Sequence, residues 1–211
     1  ILLSTTYNKG VYIMKRSLST LDITYAAMFV ALMAIGANIV SWIPFLQIGN
    51  VPLSMQPFFC VLAGILLGSR LGAISMIVYL LVGIAGAPVF AGFGSGFAPI
   101  IGPTGGFLLS YVITAFVAGL IVEKKSQPIA GTFMFASFVG IILIYFIGTN
   151  YMYMIINYVL EADMAYSTAW LTMAWFSVKD FVFTIFCGVI ATKLYYVVNK
   201  TTKTPYKHKA A

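Results

Sequence analysis

The sequence contains few charged side chains. Only 8% of its 211 residues are Asp, Glu, Lys or Arg, whereas 61% are hydrophobic, and soluble domains average about 25% charged residues. A chain of this composition has too little polar surface to cover itself in water. The composition therefore excludes an ordinary soluble domain and predicts a protein whose solvent is the lipid bilayer.

Residues that carry chemistry are also scarce. The single histidine, His208, lies in the C-terminal tail, so we expect no histidine-based metal site and no histidine base within the membrane. No G-x-x-x-x-G-K-[ST] sequence occurs, which excludes ATP binding by a P-loop. Cys60 and Cys187 both lie in apolar runs and are expected to be small buried side chains rather than a disulfide. We therefore predict no catalytic residues, no metal and no cofactor, and a protein that is not an enzyme.

The sequence has long apolar runs instead. At roughly 1.5 Å per residue, about 20 helical residues cross the hydrocarbon core of a bilayer. The second and third runs are separated only by "GSR", which predicts a tight helical hairpin, and prolines near the start of the second run are tolerated in a first helical turn. The pattern predicts an all-α integral membrane protein with six transmembrane helices. The runs cover residues 23–42, 53–67, 71–87, 105–122, 129–147 and 169–197.

The basic residues predict the orientation of these helices. With the N-terminus inside, the proposed outer loops, 43–52, 88–104 and 148–168, contain no Lys or Arg, and they hold Glu161 and Asp163. This is the positive-inside pattern, so both termini are predicted to be cytoplasmic. The net charge of +7 then reports topology, and we predict no nucleic-acid binding. The basic residues placed on the cytoplasmic side are Lys15, Arg16, Arg70, Lys124, Lys125, Lys193, Lys200, Lys203, Lys207 and Lys209.

We expect one membrane domain, residues 14–199. Residues 1–13 precede Met14 and are expected to come from an upstream extension, while residues 200–211 form a basic cytoplasmic tail. No internal repeat is evident, which weighs against carriers built from duplicated halves.

An irregular segment rich in glycine separates the third and fourth runs. Residues 86–106, "GAPVFAGFGSGFAPIIGPTGG", carry no charge. Glycine and proline oppose a regular helix here, and a hydrophobic backbone of this kind is stable only where protein covers it or where it lines a cavity. The length is typical of a lid or a binding loop. The alternative is a floppy outer connection.

The last apolar run contains a charged pair, Lys179 and Asp180, within "WFSVKDFVFT". Each charge at the centre of a membrane helix costs roughly 2.5 to 3.5 kcal/mol. Neighbouring helical positions are about 100° apart, so we expect a direct ion pair to be poor and each side chain to find another partner. In a purely structural interpretation, Lys179 extends outward to the interface and Asp180 bonds a neighbouring helix.

In a functional interpretation the pair lines a polar pocket in the outer half of the bundle. Neutral polar groups and loop aromatics would complete that pocket and suit a small, partly apolar ligand with an amide-like head and a carboxylate. The neutral polar candidates are Ser54, Gln56, Tyr79 and Asn150, and the aromatic candidates are Phe90 and Phe93.

The first run has small residues four positions apart, Ala27 and Ala31. Such spacing makes a smooth face that another helix can approach closely. It indicates either packing within the bundle or a docking face for a separate membrane protein.

Several segments resemble the BioY family, the substrate-binding components of biotin transporters. They occur in the family's order as "VPLSMQP", "LLGSRLGA", "YLLVGIAGAPVF" and "GPTGGF" within residues 51–107. The resemblance implies a six-helix S component of an energy-coupling factor (ECF) importer in a bacterial cell membrane. Such a component captures biotin from outside with high affinity and works with a transmembrane scaffold and two cytoplasmic ATPases. Ala27 and Ala31 match the family's scaffold-contact spacing.

The resemblance also implies roles for the charged pair. In the family the last helix often has an aspartate followed three residues later by a lysine near the ligand; Asp180 matches the aspartate, but position 183 is Phe183, and Lys179 takes the place of the absent lysine. Asp180 would accept the ureido N–H groups of biotin. Gln56 and Ser54 would bond its ureido oxygen or carboxylate.

Lys179 would offset a charge, and aromatic side chains would pack on the thiophane ring and valerate chain of biotin: Phe90, Phe93 and Tyr79. The alternatives left open are an S component for another vitamin, a carrier or channel that works alone, and an integral-membrane enzyme.

Overall fold

The computed structural model describes residues 18–39, 47–48, 51–52 and 54–201. The predictions for residues 1–13 and for the tail after residue 201, and much of the predicted outer loop 43–52, lie outside the described residues.

The described chain is almost entirely helical. Two short strands, β1 (Gln47–Ile48) and β2 (Val51–Pro52), pair antiparallel, and a 3₁₀ turn covers Ala91–Phe93. Five helices of the described chain are long and apolar enough to cross a membrane, which confirms the prediction of an all-α membrane protein. The helices are α1 (Thr20–Asn38), α2 (Gln56–Ile84), α3 (Ala98–Ile101), α4 (Gly105–Glu123), α5 (Ala130–Tyr158) and α6 (Tyr166–Thr201).

Helix α2 folds back on itself at Gly68. This residue has φ 84° and ψ 173°, a conformation open essentially to glycine alone. A Cβ added to Gly72 would lie 2.9 Å from the Cα of Gly64, although eight residues of straight helix span about 12 Å. The predicted hairpin is therefore present, with arms 56–67 and 69–84.

Helix α1 begins three residues earlier than predicted because its N-terminus is capped. The Ser19 hydroxyl accepts a hydrogen bond from the Asp22 N–H (3.2 Å), and the Asp22 carboxylate accepts one from the Ser19 N–H (3.0 Å). This reciprocal capping box satisfies two N–H groups that a helix start leaves unpaired.

Helix α5 continues beyond its predicted end. The prediction of an outer loop over 148–168 is wrong, since α5 runs to Tyr158 and α6 begins at Tyr166. Two asparagines in this extension are satisfied inside the helix. The Asn150 amide donates to the Phe146 carbonyl (2.6 Å), and the Asn157 amide donates to the Tyr153 carbonyl (3.1 Å).

Asn157 also closes the turn between α5 and α6. Its amide nitrogen donates to the Met164 carbonyl (3.1 Å), and its amide oxygen accepts from the Met164 N–H (2.7 Å). One side chain thus holds both backbone groups of a residue just before α6.

Contacts between helix termini show which connections lie at the same end, or pole, of the helical bundle. At one pole, the N–H and hydroxyl of Ser69 both donate to the Glu123 carboxylate (2.6 and 2.7 Å), and the Tyr196 hydroxyl donates to the Pro128 carbonyl (2.8 Å). The hairpin turn, the α4–α5 connection and the last turns of α6 therefore meet there. The α5–α6 turn lies at the other pole, because α5 is about 40 Å long.

Glycines let α4 pack closely on the α2 hairpin. A Cβ on Gly64 would lie 2.3 Å from the Ala115 carbonyl oxygen, and one on Gly119 would lie 2.3 Å from the Ser69 nitrogen. Helix α5 packs on α4, and α6 packs on α5.

Candidate functional site

A cavity of about 300 Å³ lies at the pole of the α5–α6 turn, among the first turns of α2 and α4, the middle of α5 and α6, and the glycine-rich segment. One side of it is polar and the rest is apolar. The polar side chains are Ser54, Gln56, Thr104, Tyr111, Tyr145, Lys179 and Asp180, and the apolar wall includes Phe107, Ile144, Met152, Met173 and Phe176.

Asp180 is the most buried charge of this cavity, with 3% of its surface exposed. The Tyr145 hydroxyl donates to its Oδ2 at 2.6 Å, and Lys179 Nζ lies 2.7 Å from its Oδ1. Among the described residues no group other than Lys179 approaches Oδ1 as a donor. The carboxylate is thus charge-paired while one oxygen keeps capacity to accept a hydrogen bond.

The prediction that Lys179 and Asp180 would make no good direct contact is wrong, whereas the prediction that each finds another partner inside the bundle is confirmed. The flexible four-carbon stem of the lysine bends around the roughly 100° that separates neighbouring helical positions, so Nζ reaches the carboxylate. The same ammonium donates a hydrogen bond to the Ser54 carbonyl, and its side chain is only 18% exposed. Lys179 therefore points into the bundle and does not extend outward to the interface.

Phe183 occupies the position where the family pattern has a lysine. Its ring centroid lies 5.9 Å from Lys179 Nζ, within the range of a cation–π contact. The departure from the pattern therefore leaves a cation near Asp180, supplied one residue before the aspartate.

Gln56 joins the cavity to both arms of the α2 hairpin. Its amide nitrogen donates to the Tyr79 hydroxyl (2.8 Å), which donates to the Val89 carbonyl (2.9 Å). Within the described chain no group donates to the Gln56 amide oxygen. Gln56 therefore presents a hydrogen-bond acceptor to the cavity, and Tyr79 supports it from behind.

The glycine-rich segment is held in place. The Phe90 ring fills the space beside Gly83, where a Cβ would come within 2.1 Å of it. The Phe93 N–H donates to the buried Asn38 side chain (2.7 Å), and the Ile100 carbonyl accepts from the Tyr151 hydroxyl (3.1 Å). The segment also contributes to the cavity wall through a few residues, so the alternative of a floppy connection is wrong. These residues are Ala91, Pro99, Pro103 and Thr104.

The structure brings together only part of the predicted site. Ser54, Gln56, Lys179 and Asp180 line the cavity, while the remaining predicted residues lie elsewhere. Tyr79 and Phe90 stand behind Gln56, with their rings edge to face at 5.5 Å. Phe93 is 48% exposed, and Asn150 bonds Phe146 and Tyr166.

Sequence reasoning missed Tyr145 and Phe107. Tyr145 precedes Asp180 by 35 residues, so no local spacing connects them. Both are ordinary aromatic residues of apolar helices, and only the packing of α4, α5 and α6 reveals that they face the cavity.

Ala27 and Ala31 are exposed on α1, whereas Phe29 and Met33 of the same helix are buried. The two alanines therefore do not pack within this bundle. Their face is open to the lipid or to a partner.

A larger open groove of about 540 Å³ lies between α5 and α6. Its lining is almost wholly apolar, with exposed side chains such as Phe138, Phe146 and Phe181. Bilayer-facing helices are expected to have such surfaces, and the groove lacks the charged pair. The smaller cavity is therefore the better candidate for a ligand site.

Fold and site together define a multi-pass membrane protein with a ligand-sized, partly polar cavity near one membrane face. The BioY family model matches residues 14–200, and the chain belongs to the BioY family. It is accordingly a multi-pass protein of the cell membrane.

Individual relatives support this membership. The chain is 50% identical over 188 residues to the putative biotin transporter BioYB of Bacillus subtilis (strain 168), covering 89% of this chain and 94% of the relative. It is 33% identical over 169 residues to the biotin transporter BioY of Thermotoga maritima, covering 80% and 92%.

A solved structure has the same fold. The crystal structure of the S-component for biotin from an ECF-type ABC transporter superposes with a TM-score of 0.72 at 23% identity, covering 85% of this chain and 95% of that one.

Proposed function

We propose that this chain is the biotin-binding S component of an ECF importer, capturing biotin from outside the cell and delivering it for ATP-driven uptake. The observation that carries the proposal is the paired Lys179 and Asp180 in the polar end of a ligand-sized cavity, in a chain whose relatives are named biotin transporters. Nothing in this arrangement requires catalysis, so the chain acts as a transport subunit and not as an enzyme.

The cavity offers partners for each part of biotin. Its ureido N–H groups need acceptors, and Asp180 Oδ1 and the Gln56 amide oxygen supply them. An ammonium has three donors. One goes to the Ser54 carbonyl and a second faces Asp180, so the third can bond the ureido oxygen, which lies beside the ureido N–H groups. The Ser54 hydroxyl adds a further polar group, and the wall formed by Phe107 and its neighbours suits the thiophane ring and the chain.

The proposed protein crosses the membrane six times and has both termini inside. The six crossings are the two arms of the α2 hairpin and helices α1, α4, α5 and α6. The charge distribution supports this orientation. Arg70, Lys124 and Lys125 belong to the pole where Ser69 meets Glu123, while Glu161 and Asp163 lie in the turn at the cavity's pole. By the positive-inside rule, this distribution of charge supports a cavity that opens to the outer side.

The exposed Ala27 and Ala31 of α1 are the proposed contact for the transmembrane scaffold, since small residues allow close helix approach. Two ATPases on the cytoplasmic side would supply the energy. Co-purification of the tagged chain with a second membrane protein and ATPase subunits from its native membrane is the expected result. Biotin uptake by this chain alone in vesicles, driven only by a gradient, would favour the stand-alone carrier instead.

Substitution of Asp180 tests the binding site directly. A hydrogen bond to a charged group contributes roughly 1.5 to 3 kcal/mol, so Asp180→Asn should weaken biotin binding about tenfold or more, measured by calorimetry on detergent-purified protein. Asp163→Asn is the matched control, because Asp163 is exposed in the α5–α6 turn and asparagine tolerates its positive φ of 42°.

Equal affinity of Asp180→Asn and the unmodified chain would remove Asp180 from the site. Competition of labelled biotin by riboflavin, thiamine or lipoate decides between biotin and another vitamin.

A further inference from the structure

Gly148 of α5 lies directly against the ring of Phe107, a cavity-lining residue of α4. A Cβ on Gly148 would come 2.3 Å from Cδ1 and 2.4 Å from Cε1 of that ring, far inside the roughly 3.5–4.0 Å at which carbon atoms pack. Only the missing side chain at position 148 allows the ring to lie where it does.

Separating the helices around this contact would also open a second close contact between them. One turn away the relation is reversed: a Cβ on Gly106 of α4 would lie 2.2 Å from the Cβ of Tyr151 on α5. Each helix thus presents a glycine to an aromatic residue of the other. An added methyl group at position 148 must therefore displace the Phe107 ring rather than the backbone.

The ring has two directions in which to move, and both affect the site. One is the cavity that it lines. The other is Tyr145, whose ring it meets edge to face at 6.2 Å and whose hydroxyl donates to Asp180. Position 148 consequently controls both the room in the cavity and the support of its carboxylate.

We propose that Gly148 is a positioning residue that sets the size of ligand the cavity admits, by housing the Phe107 ring against α5. This inference rests on the proposed function only in taking biotin as the ligand. Ligand selectivity in this protein is then set partly by a residue that does not touch the ligand.

The test compares biotin affinities of full-length variants in detergent. Gly148→Ala should bind biotin about tenfold more weakly, because overpacking a fitted contact is costly. The matched control is Gly140→Ala on the same helix. A Cβ there would lie 2.7 Å from Val61 Cγ2, and neither residue lines the cavity. This variant should retain the biotin affinity of the unmodified chain. Unchanged affinity in Gly148→Ala would overturn the inference.

A double substitution shows whether Gly148→Ala weakens biotin binding by displacing the Phe107 ring. In a Phe107→Leu background, adding Gly148→Ala should change biotin affinity less than about twofold, since the shorter side chain leaves space beside position 148. A loss as large as that in the unmodified background would overturn the role of Phe107.

The relative affinity for biotin and its analogues is a measurement that a purely structural role would leave unchanged. It can be made on Phe107→Leu even if Gly148→Ala does not fold. Phe107→Leu should improve binding of biotin sulfone or of biotin methyl ester, relative to biotin, by about tenfold. No relative gain for either analogue would overturn the inference.

Failure of the unmodified chain to bind biotin would refute the proposed function alone. The thermal unfolding temperatures of the two single variants and the double variant would still test the packing of Phe107 against Gly148. Non-additive changes would support that packing, and additive changes would refute it.

Discussion

At the scale of single residues, the charged pair of α6 is held by contacts from two other parts of the fold. Tyr145 of α5 donates to Asp180, and the carbonyl of Ser54, just before α2, accepts from Lys179. Removing one partner of a buried ion pair is strongly destabilising, while a paired and hydrogen-bonded charge is tolerated. The pair therefore fixes the position of α6 relative to α2 and α5 as well as furnishing the cavity.

Tyr145→Phe tests the support of Asp180. The ring and its contact with Phe107 remain, but Oδ2 loses its donor, and we expect biotin affinity to fall about three- to tenfold. Tyr196→Phe is the control: its hydroxyl donates to the Pro128 carbonyl at the opposite pole, so affinity should stay the same. Calorimetry on both purified variants checks this, and an equal effect of the two substitutions would contradict it.

The sequence alone could locate the charged pair because two charges in an apolar run stand out by their cost. It could not pair Asp180 with Tyr145, nor show that Lys179 bends back to its neighbour. Those contacts depend on side-chain conformations and on the rotation of α5 and α6 about their axes. Phe93 and Asn150 were selected by residue type, and neither lines the cavity. The rotation of α5 turns Asn150 away, and the glycine-rich segment leaves Phe93 48% exposed.

At the scale of elements, the α2 hairpin depends on one backbone conformation. Gly68 adopts φ 84° and ψ 173°, which costs other residues of order 1–3 kcal/mol. Gly68→Ala should therefore lower the thermal unfolding temperature clearly. Gly131→Ala in the first turn of α5 is the control, since a Cβ there would meet nothing within 4 Å, and alanine is favoured over glycine in a helix by up to about 1 kcal/mol. An unchanged melting temperature for Gly68→Ala would show that the turn tolerates a side chain.

Helix positions were predictable where apolar runs end at clear breaks. The "GSR" break gave the hairpin, and α4 was placed to within one residue of its observed end, Glu123. The fifth apolar run was ended at residue 147, just before Thr149 and Asn150, whereas α5 continues to Tyr158 because Asn150 and Asn157 bond backbone carbonyls of the helix. Hydropathy measures transfer to lipid and takes no account of such internal hydrogen bonds.

At the scale of the whole molecule, orientation is the property that a labelling experiment can decide. Cys60 and Cys187 are buried, so the native chain gives little background with a membrane-impermeant maleimide. Phe97→Cys in the glycine-rich segment, where Phe97 is 64% exposed, should be labelled in intact cells. Lys125→Cys, between α4 and α5, should be labelled only after permeabilisation. The reverse pattern would invert the proposed topology and place the cavity on the cytoplasmic side.

The two hydrogen bonds between the Asn157 side chain and the Met164 backbone fix the rotation of α6 about its own axis. Because the backbone just before α6 is tied to α5 by two hydrogen bonds, the angular position of Asp180 depends on the number of residues counted from that tie. One residue inserted between Met164 and Asp180 would turn the carboxylate by about 100°, away from Tyr145 and toward lipid. The proposed binding site therefore depends on the length of this stretch as well as on the side chains that line the cavity.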